Sequence, residues 1–176
     1  KLIYLDSDSV TQYDIIKKLI NFNLEKKMYA PYANKHNSNK KKEIVIRLGQ
    51  LLKRKFDWES ISGNQIDLDN YAYLGAPFIT DCSTWTNIYN RLIELIRIHN
   101  TTRDGLFNLF TMSLQNILFY DQIGNIDVVL DVLQDLGSTR KKWEHVDVVE
   151  KDILDWSGLY KPWYFNGLYQ HLWKCH

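Results

Sequence analysis

Short apolar runs alternate along this chain with segments whose apolar residues recur at helical spacing. The first run, residues 1–5, leads into acidic residues and predicts a buried strand, and a second strand is predicted over residues 28–33. Between them, residues 14–22 carry apolar side chains at the spacing of a short helix. Strands that alternate with helices are typical of the α/β class. With 176 residues and 45% hydrophobic content, the chain can build one core, and we expect a single domain over residues 1–176.

The middle of the chain continues this alternation. The polar, lysine-rich residues 34–43 are expected to form a solvated loop, and the spacing from residue 44 to residue 56 predicts a basic amphipathic helix. Residues 71–79 predict a strand that contains glycine and proline. Ser83 is expected to be the N-cap of the long helix that follows.

The last third predicts a helix within residues 105–120 and a short strand at residues 153–154. A turn at Ser157 and Gly158 follows this strand, and an aromatic helix over residues 165–173 closes the pattern.

Charge and cysteine content exclude some classes of protein. There are 22 basic and 21 acidic residues, so the net charge of +1 does not indicate a nucleic acid or an anionic membrane as a partner. No apolar run reaches the ~18 residues of a membrane span. Cys82 and Cys175 have no metal-site spacing; they permit one disulfide at most, and we expect two buried thiols.

Asp6 and Asp8 follow the first predicted strand, and on a strand residues two apart point to the same side. Two neighbouring carboxylates repel each other unless a proton or a cation intervenes, and Mn²⁺ or Mg²⁺ accepts such oxygen ligands. The same stretch also fits the Asp-x-Asp-x-[Thr/Val] signature of haloacid-dehalogenase-like phosphatases, whose first aspartate is a nucleophile. The later acidic pair of those enzymes has no convincing counterpart here, since Asp127 and Asp131 lie at helical spacing. Both interpretations of the acidic pair remain open at this point.

The segment LDWSGLYKPW, residues 154–163, resembles the His-x-x-Gly-x-x-Lys-Pro-Trp motif of glycosyltransferase family 8. Gly158, Lys161, Pro162 and Trp163 match this motif at the right spacing. Weaker similarities to the family lie between the two motifs and after the second; they are YLGAPFITDCSTW, NILFYDQIGNID and the tail KPWYFNGLYQHLWKCH. The tail is similar to that of the animal proteins that carry a glycosyltransferase 8 domain. The resemblance covers most of the chain.

The resemblance implies an α/β GT-A fold that is incomplete on its N-terminal side, because the chain corresponds to the C-terminal part of the family's catalytic domain. It further implies retaining transfer of a hexose or related sugar from a UDP-sugar to a glycan or glycoprotein acceptor, with Mn²⁺ or Mg²⁺ as cofactor. If the matching positions keep the roles they have in the family, Asp6 and Asp8 would bind the metal. Gly158 and Lys161 would bind the diphosphate. The resemblance also implies that the protein resides in the lumen of the Golgi or endoplasmic reticulum, with a membrane anchor outside this segment.

Three departures from the family pattern concern the same site. Asp155 stands at the position of the family's metal-binding histidine. Its carboxylate can also bind a hard cation, but it adds negative charge opposite a diphosphate. The asparagine of the family's Phe-Asn-x-Gly-Val segment falls on Leu74 and its glycine on Ala76. Thr111-Met112-Ser113 stands where some bacterial members carry Asp-Gln-Asp. No catalytic nucleophile is identifiable, and an inactive, glycosyltransferase-like binding module remains the alternative.

Overall fold

The computed structural model describes residues 1–37, 42–53, 55–138 and 148–174. Within these ranges the strands are β1 (Leu2–Tyr4), β2 (Ser9–Thr11), β3 (Met28–Ala30), β4 (Asn34–Asn37), β5 (Lys42–Val45), β6 (Phe78–Thr80), β7 (Ile123–Asn125), β8 (Val132–Leu133) and β9 (Ile153–Asp155). The helices are α1 (Ile15–Ile20), α2 (Leu48–Leu51), α3 (Trp58–Ser62), α4 (Cys82–Thr101), α5 (Phe110–Leu118) and α6 (Gln170–Trp173), with a 3₁₀ turn over Ile126–Val128. The expected α/β class is confirmed.

Two mixed sheets organise the chain. The larger has the strand order β1-β6-β3-β7, in which β3 and β7 run parallel and the other pairs antiparallel. The smaller has the order β2-β9-β8, with β2 antiparallel and β8 parallel to β9. Because β1 and β2 belong to different sheets, residues 5–8 carry the chain from one sheet to the other.

Apolar side chains pack into several clusters around these sheets. The largest involves α2 to α5 and includes Leu95, which is fully buried on α4. A smaller cluster lies against β8 and β9 and includes Leu154 and Trp156, both fully buried. This second cluster fixes the end of β9, from which the chain turns toward Lys161. Among the described residues, no helix has the length and apolar character needed to cross a membrane.

The prediction of a loop over residues 34–43 is wrong for those of its residues that the structure describes. β4 and β5 pair as an antiparallel hairpin, and residues 38–41 lie outside the described residues. The helix predicted over residues 44–56 is wrong for most of its length, because β5 continues to Val45 and α2 is short. The alternation of Ile44 and Ile46 is strand spacing, and the Ile46 N–H donates to Ala33 O at 2.6 Å.

The prediction over residues 71–79 is only partly correct. Tyr71 and Tyr73 form single bridges, and a cis Ala76–Pro77 peptide precedes β6. Ser83 is not the N-cap of α4. That residue is Asp81, whose carboxylate accepts a hydrogen bond from the Ser83 N–H at 2.9 Å.

The remaining differences concern helix lengths and the cysteines. α5 is shorter than the predicted segment of residues 105–120, and the closing helix is restricted to α6. Cys82 is exposed rather than buried, and its thiol is free, whereas Cys175 lies outside the described residues.

Candidate functional site

Asp6 and Asp8 lie in the crossing between the two sheets rather than on a strand. β1 ends at Tyr4, and the Ser9 N–H donates to Asp6 O at 3.1 Å, which closes a turn before β2. Asp6 is exposed and Asp8 is partly buried. Both nevertheless line one cavity, so the turn brings together the two side chains that strand geometry was expected to align.

The register of β2 against β9 brings Asp155 to the same place. Ser9 pairs with Asp155 across the two strands, and the Trp156 N–H donates to Asp8 O at 2.9 Å. The Ser9 hydroxyl donates to Asp155 Oδ1 at 2.8 Å, although the two residues are 146 positions apart. Backbone pairing therefore holds the acidic turn against the end of β9.

Asp155 is 5% exposed, and its surroundings oppose its ionisation. Burial raises the pKa of Asp155, hydrogen bonds from Ser9 and Ser157 act in the opposite direction, and the nearby carboxylate of Asp8 raises the pKa again. The Ser157 N–H donates to Asp155 Oδ2 at 3.3 Å. Two carboxylates close enough to repel each other favour a cation beside them.

Lys161 supplies a positive charge at this point. Its ammonium group forms an ion pair with the Asp8 carboxylate and donates to Trp156 O at 2.7 Å. The side chains of Lys161 and Asp8 are only 22% and 13% exposed, so the pair is partly shielded from water. The predicted diphosphate-binding lysine thus lies next to Asp8, one of the three predicted metal ligands.

Gly158 has a second role besides the one predicted for it. Its φ is 113°, and a Cβ at this position would lie 2.5 Å from Gly137 O. A Cβ on Gly137 would in turn lie 2.8 Å from Trp156 O. Glycine at both positions therefore lets two backbone segments touch, while Gly158 also lines the cavity.

These residues line a cavity of about 760 Å³. Its charged and small polar lining comes from two segments and comprises Asp6, Asp8, Asp155, Ser157, Gly158 and Lys161. Its mostly apolar lining comprises Tyr4, Leu74, Gly75, Ala76, Phe78, Leu109, Phe110, Thr111, Met112 and Gln115. The cavity is therefore suited to a ligand with a charged part and a less polar part.

The donor chemistry of Asp6, Asp8 and Asp155 fits a hard cation such as Mn²⁺ or Mg²⁺. The charge of Asp6 and a hydrogen bond to its carboxylate raise the pKa of Tyr4, so Asp6 is engaged by the tyrosine hydroxyl. Asp8 is engaged by Lys161. Within the described residues, no three acidic, histidine or cysteine side chains are gathered closely enough to hold a metal. Binding an ion here would therefore require these carboxylates to move closer together and Asp8 to leave Lys161.

Comparison with known proteins identifies the family of the chain. The model of the family named glycosyl transferase family 8 matches residues 1–167. The chain belongs to glycosyl transferase family 8. The family prediction is confirmed, and the phosphatase interpretation is not favoured.

Two curated relatives are the glycosyltransferase 8 domain-containing protein 1 of Bos taurus and that of Homo sapiens. Each is 26% identical to this family 8 chain over 189 residues, which cover 99% of the chain and 49% of the relative. The chain therefore spans about half the length of the curated relatives it matches.

Two solved structures share the fold. The glycosyltransferase GlyE of Streptococcus pneumoniae aligns with a TM-score of 0.53 at 18% identity, over 98% of this chain and 38% of its own. The galactosyltransferase LgtC, solved with donor and acceptor sugar analogues, aligns with a TM-score of 0.51 at 13% identity, over 93% of this chain and 55% of its own. The predicted GT-A fold is confirmed.

Three residues of this family 8 site were not predicted from the sequence. Ser9 and Gly137 act through strand register and a backbone contact, and both depend on pairings between distant parts of the chain. Gln115 is a buried amide on α5 and lines the cavity. No signal in the sequence singles it out, because Thr111, Ser113 and Asn116 are also polar residues of α5.

Proposed function

We propose that the protein containing this chain is a retaining glycosyltransferase. It moves a hexose or related sugar from a UDP-sugar to a glycan or glycoprotein acceptor, with Mn²⁺ or Mg²⁺, in the lumen of the Golgi or endoplasmic reticulum. The observation that carries the proposal is the Lys161–Asp8 ion pair in a cavity that Asp155 also lines. Family membership supports a transferase, and the activity of the whole protein is part of the proposal.

Lys161 has the chemistry needed to help the nucleotide leave. When the bond between the sugar and the diphosphate breaks, negative charge develops on the diphosphate oxygens, and a positioned ammonium group stabilises that charge. In this site Lys161 would exchange Asp8 for the diphosphate. A divalent cation would supply further positive charge if Asp6, Asp8 and Asp155 moved together to hold it.

Calorimetry with UDP and Mn²⁺ on the full-length protein tests the proposal. We expect UDP to bind in a metal-dependent manner, and Asp8→Ala to abolish that dependence. Lys161→Ala should weaken UDP binding by about tenfold to a hundredfold, the range for loss of a hydrogen bond to a charged group. Lys17→Ala is a matched control, because Lys17 is 83% exposed and pairs with Asp14 at the surface.

The absence of UDP binding at any Mn²⁺ concentration would overturn the proposal. The alternative is an inactive binding module. It is considered because Leu74 lines the cavity at the position where the family has asparagine. UDP binding without hydrolysis or transfer from any UDP-sugar would support the module over the enzyme.

A further inference from the structure

Trp173, at the end of α6, packs between two other tryptophans. Its ring centre lies 5.6 Å from that of Trp156 and 5.4 Å from that of Trp163, both in edge-to-face arrangements. Such pairs stabilise a fold beyond the apolar area that they bury. Trp156 comes five positions before Lys161 in the chain, and Trp163 comes two positions after it. Trp173 therefore joins the two arms of the segment that carries Lys161.

Residues 156–168 form a closed loop, here called the lysine loop. The Trp156 indole N–H donates to Leu168 O at 2.9 Å and closes the loop at its base. The Leu168 N–H donates to Tyr160 O at 3.3 Å. Gly167 packs so tightly against Lys161 O that a Cβ at position 167 would have no room. The backbone at Lys161 is therefore set by how the lysine loop closes.

The backbone of Trp156 contacts both partners of the ion pair in the cavity. Its N–H donates to Asp8 O at 2.9 Å, and its carbonyl oxygen accepts from Lys161 Nζ at 2.7 Å. Because Trp156 is fully buried, its indole ring anchors this backbone in the core. A shift of Trp156 would therefore displace Asp8 and the Lys161 ammonium group together.

Lys161 depends on such support, because a lysine side chain is flexible and loses entropy whenever its ammonium group is fixed. In the proposed function this group leaves the Asp8 carboxylate for the diphosphate. A loop that already holds Lys161 close to its final place lowers the entropy lost in that exchange. No residue of α6 is among the described residues that line the cavity, so α6 can act on the ligand only through the loop.

We propose that Trp173 is a positioning residue for Lys161. By packing between Trp156 and Trp163, it holds the lysine loop so that the ammonium group stays at the cavity when it exchanges Asp8 for the diphosphate. This inference rests on the proposed function and extends the diphosphate site to a residue outside the cavity.

Titration calorimetry with UDP and Mn²⁺ on the full-length protein tests this. We expect Trp173→Leu to weaken UDP binding by about twofold to tenfold, the cost of ordering one flexible side chain on binding. Trp173→Phe keeps an aromatic ring between the two neighbours and should restore most of the affinity. Trp58→Leu is the matched control, because Trp58 is also packed in the core but does not line the cavity. It should lower stability and leave the affinity for UDP unchanged.

A double-mutant cycle separates positioning from a general loss of structure. In a Lys161→Ala background, Trp173→Leu should have no further effect on UDP binding, because no ammonium group remains to be positioned. A merely structural role of Trp173 would give the same loss of affinity with and without Lys161.

If the wild-type protein does not bind UDP, the proposed function fails and this inference fails with it. If UDP binds but Trp173→Leu has the wild-type affinity, or if its loss persists without Lys161, only this inference is overturned. Should Trp173→Leu not fold, as judged by circular dichroism, Trp163→Leu decides, because Trp163 is 48% exposed and its replacement removes the other contact of Trp173. This variant should show the same loss and the same dependence on Lys161.

Discussion

Asp155 stands where burial and the Asp8 carboxylate both oppose its negative charge. Ser9 and Ser157 stabilise the ionised form through hydrogen bonds. A histidine at this position, as in the family motif, would bring a neutral ligand and avoid the repulsion. The identity of one side chain therefore sets how much positive charge the site needs from elsewhere.

We expect Asp155→His to tighten binding of UDP in the presence of Mn²⁺ by about fivefold to tenfold. This corresponds to ~1 kcal/mol of relieved repulsion between the Asp155 carboxylate and the diphosphate. Asp155→Asn should relieve the same repulsion but lose a charged ligand, so that the affinity for Mn²⁺ falls. Titrations of UDP and of Mn²⁺ by calorimetry measure the two effects separately.

Asp14→Asn provides the control for these variants, because Asp14 lies before α1 and forms an exposed ion pair with Lys17. Unchanged Mn²⁺ affinity in both Asp155 variants would show that Asp155 is not a ligand.

At the scale of elements, local patterns predicted those strands and helices that depend on local contacts. β1 and α1 lie within the predicted segments, and β9 extends one residue beyond its own, because each has a clear apolar pattern. The hairpin of β4 and β5 was missed because its lysine-rich composition is typical of a loop. The pairing of Ser9 with Asp155 was beyond prediction, since strand register joins segments that no local pattern relates.

Asp81 supports a prediction about α4. Hydrogen bonds from the side chain and backbone of Ser83 lower the pKa of Asp81 from its ordinary value of 3.8. A lowered pKa in the folded state contributes stability above pH ~4, which is lost as the pH falls through the folded-state pKa. Asp81→Ala should therefore lower the melting temperature at pH 7, and the difference from wild type should shrink below pH ~4.

Melting curves followed by circular dichroism between about pH 2 and about pH 7 measure this effect. Asp81→Asn is the matched variant: asparagine is also a good N-cap, but it does not titrate. A deficit of Asp81→Ala that stays constant over the whole pH range would contradict a role for the Asp81 charge.

At the scale of the whole molecule, the motifs at the two ends of the chain were enough to predict the family and the fold. They were not enough to predict the cavity, whose lining comes from four separate segments. Leu74 and Met112 could be placed near a donor sugar only by resemblance. The place of the buried Gln115 amide depends on how α5 packs against residues 73–75, which no motif encodes.

The core distant from the cavity should control stability without controlling binding. Leu95 is fully buried in the largest apolar cluster and does not line the cavity. We expect Leu95→Ala to lower the free energy of unfolding by about 2–5 kcal/mol, because it leaves a void among packed side chains. Urea denaturation measures this change, and calorimetry should show an unchanged affinity for UDP.

Ile93→Ala serves as the comparison, because Ile93 lies on the same helix and is 47% exposed. Its effect should stay within about 0.5 kcal/mol. If the two variants lost equal stability, α4 would not be anchored through Leu95.

The ion pair between Lys161 and Asp8 has a consequence for which anions the site admits. Before any ligand arrives, the lysine already holds a counter-ion that the chain itself provides. An incoming anion must therefore outcompete a tethered carboxylate. Chloride or a lone phosphate would leave Asp8 without a partner, whereas a diphosphate that arrives with a divalent cation gives a new partner to Lys161 and to Asp8 at once. In the proposed function, Asp8 would therefore compete for Lys161 with small anions such as chloride and phosphate.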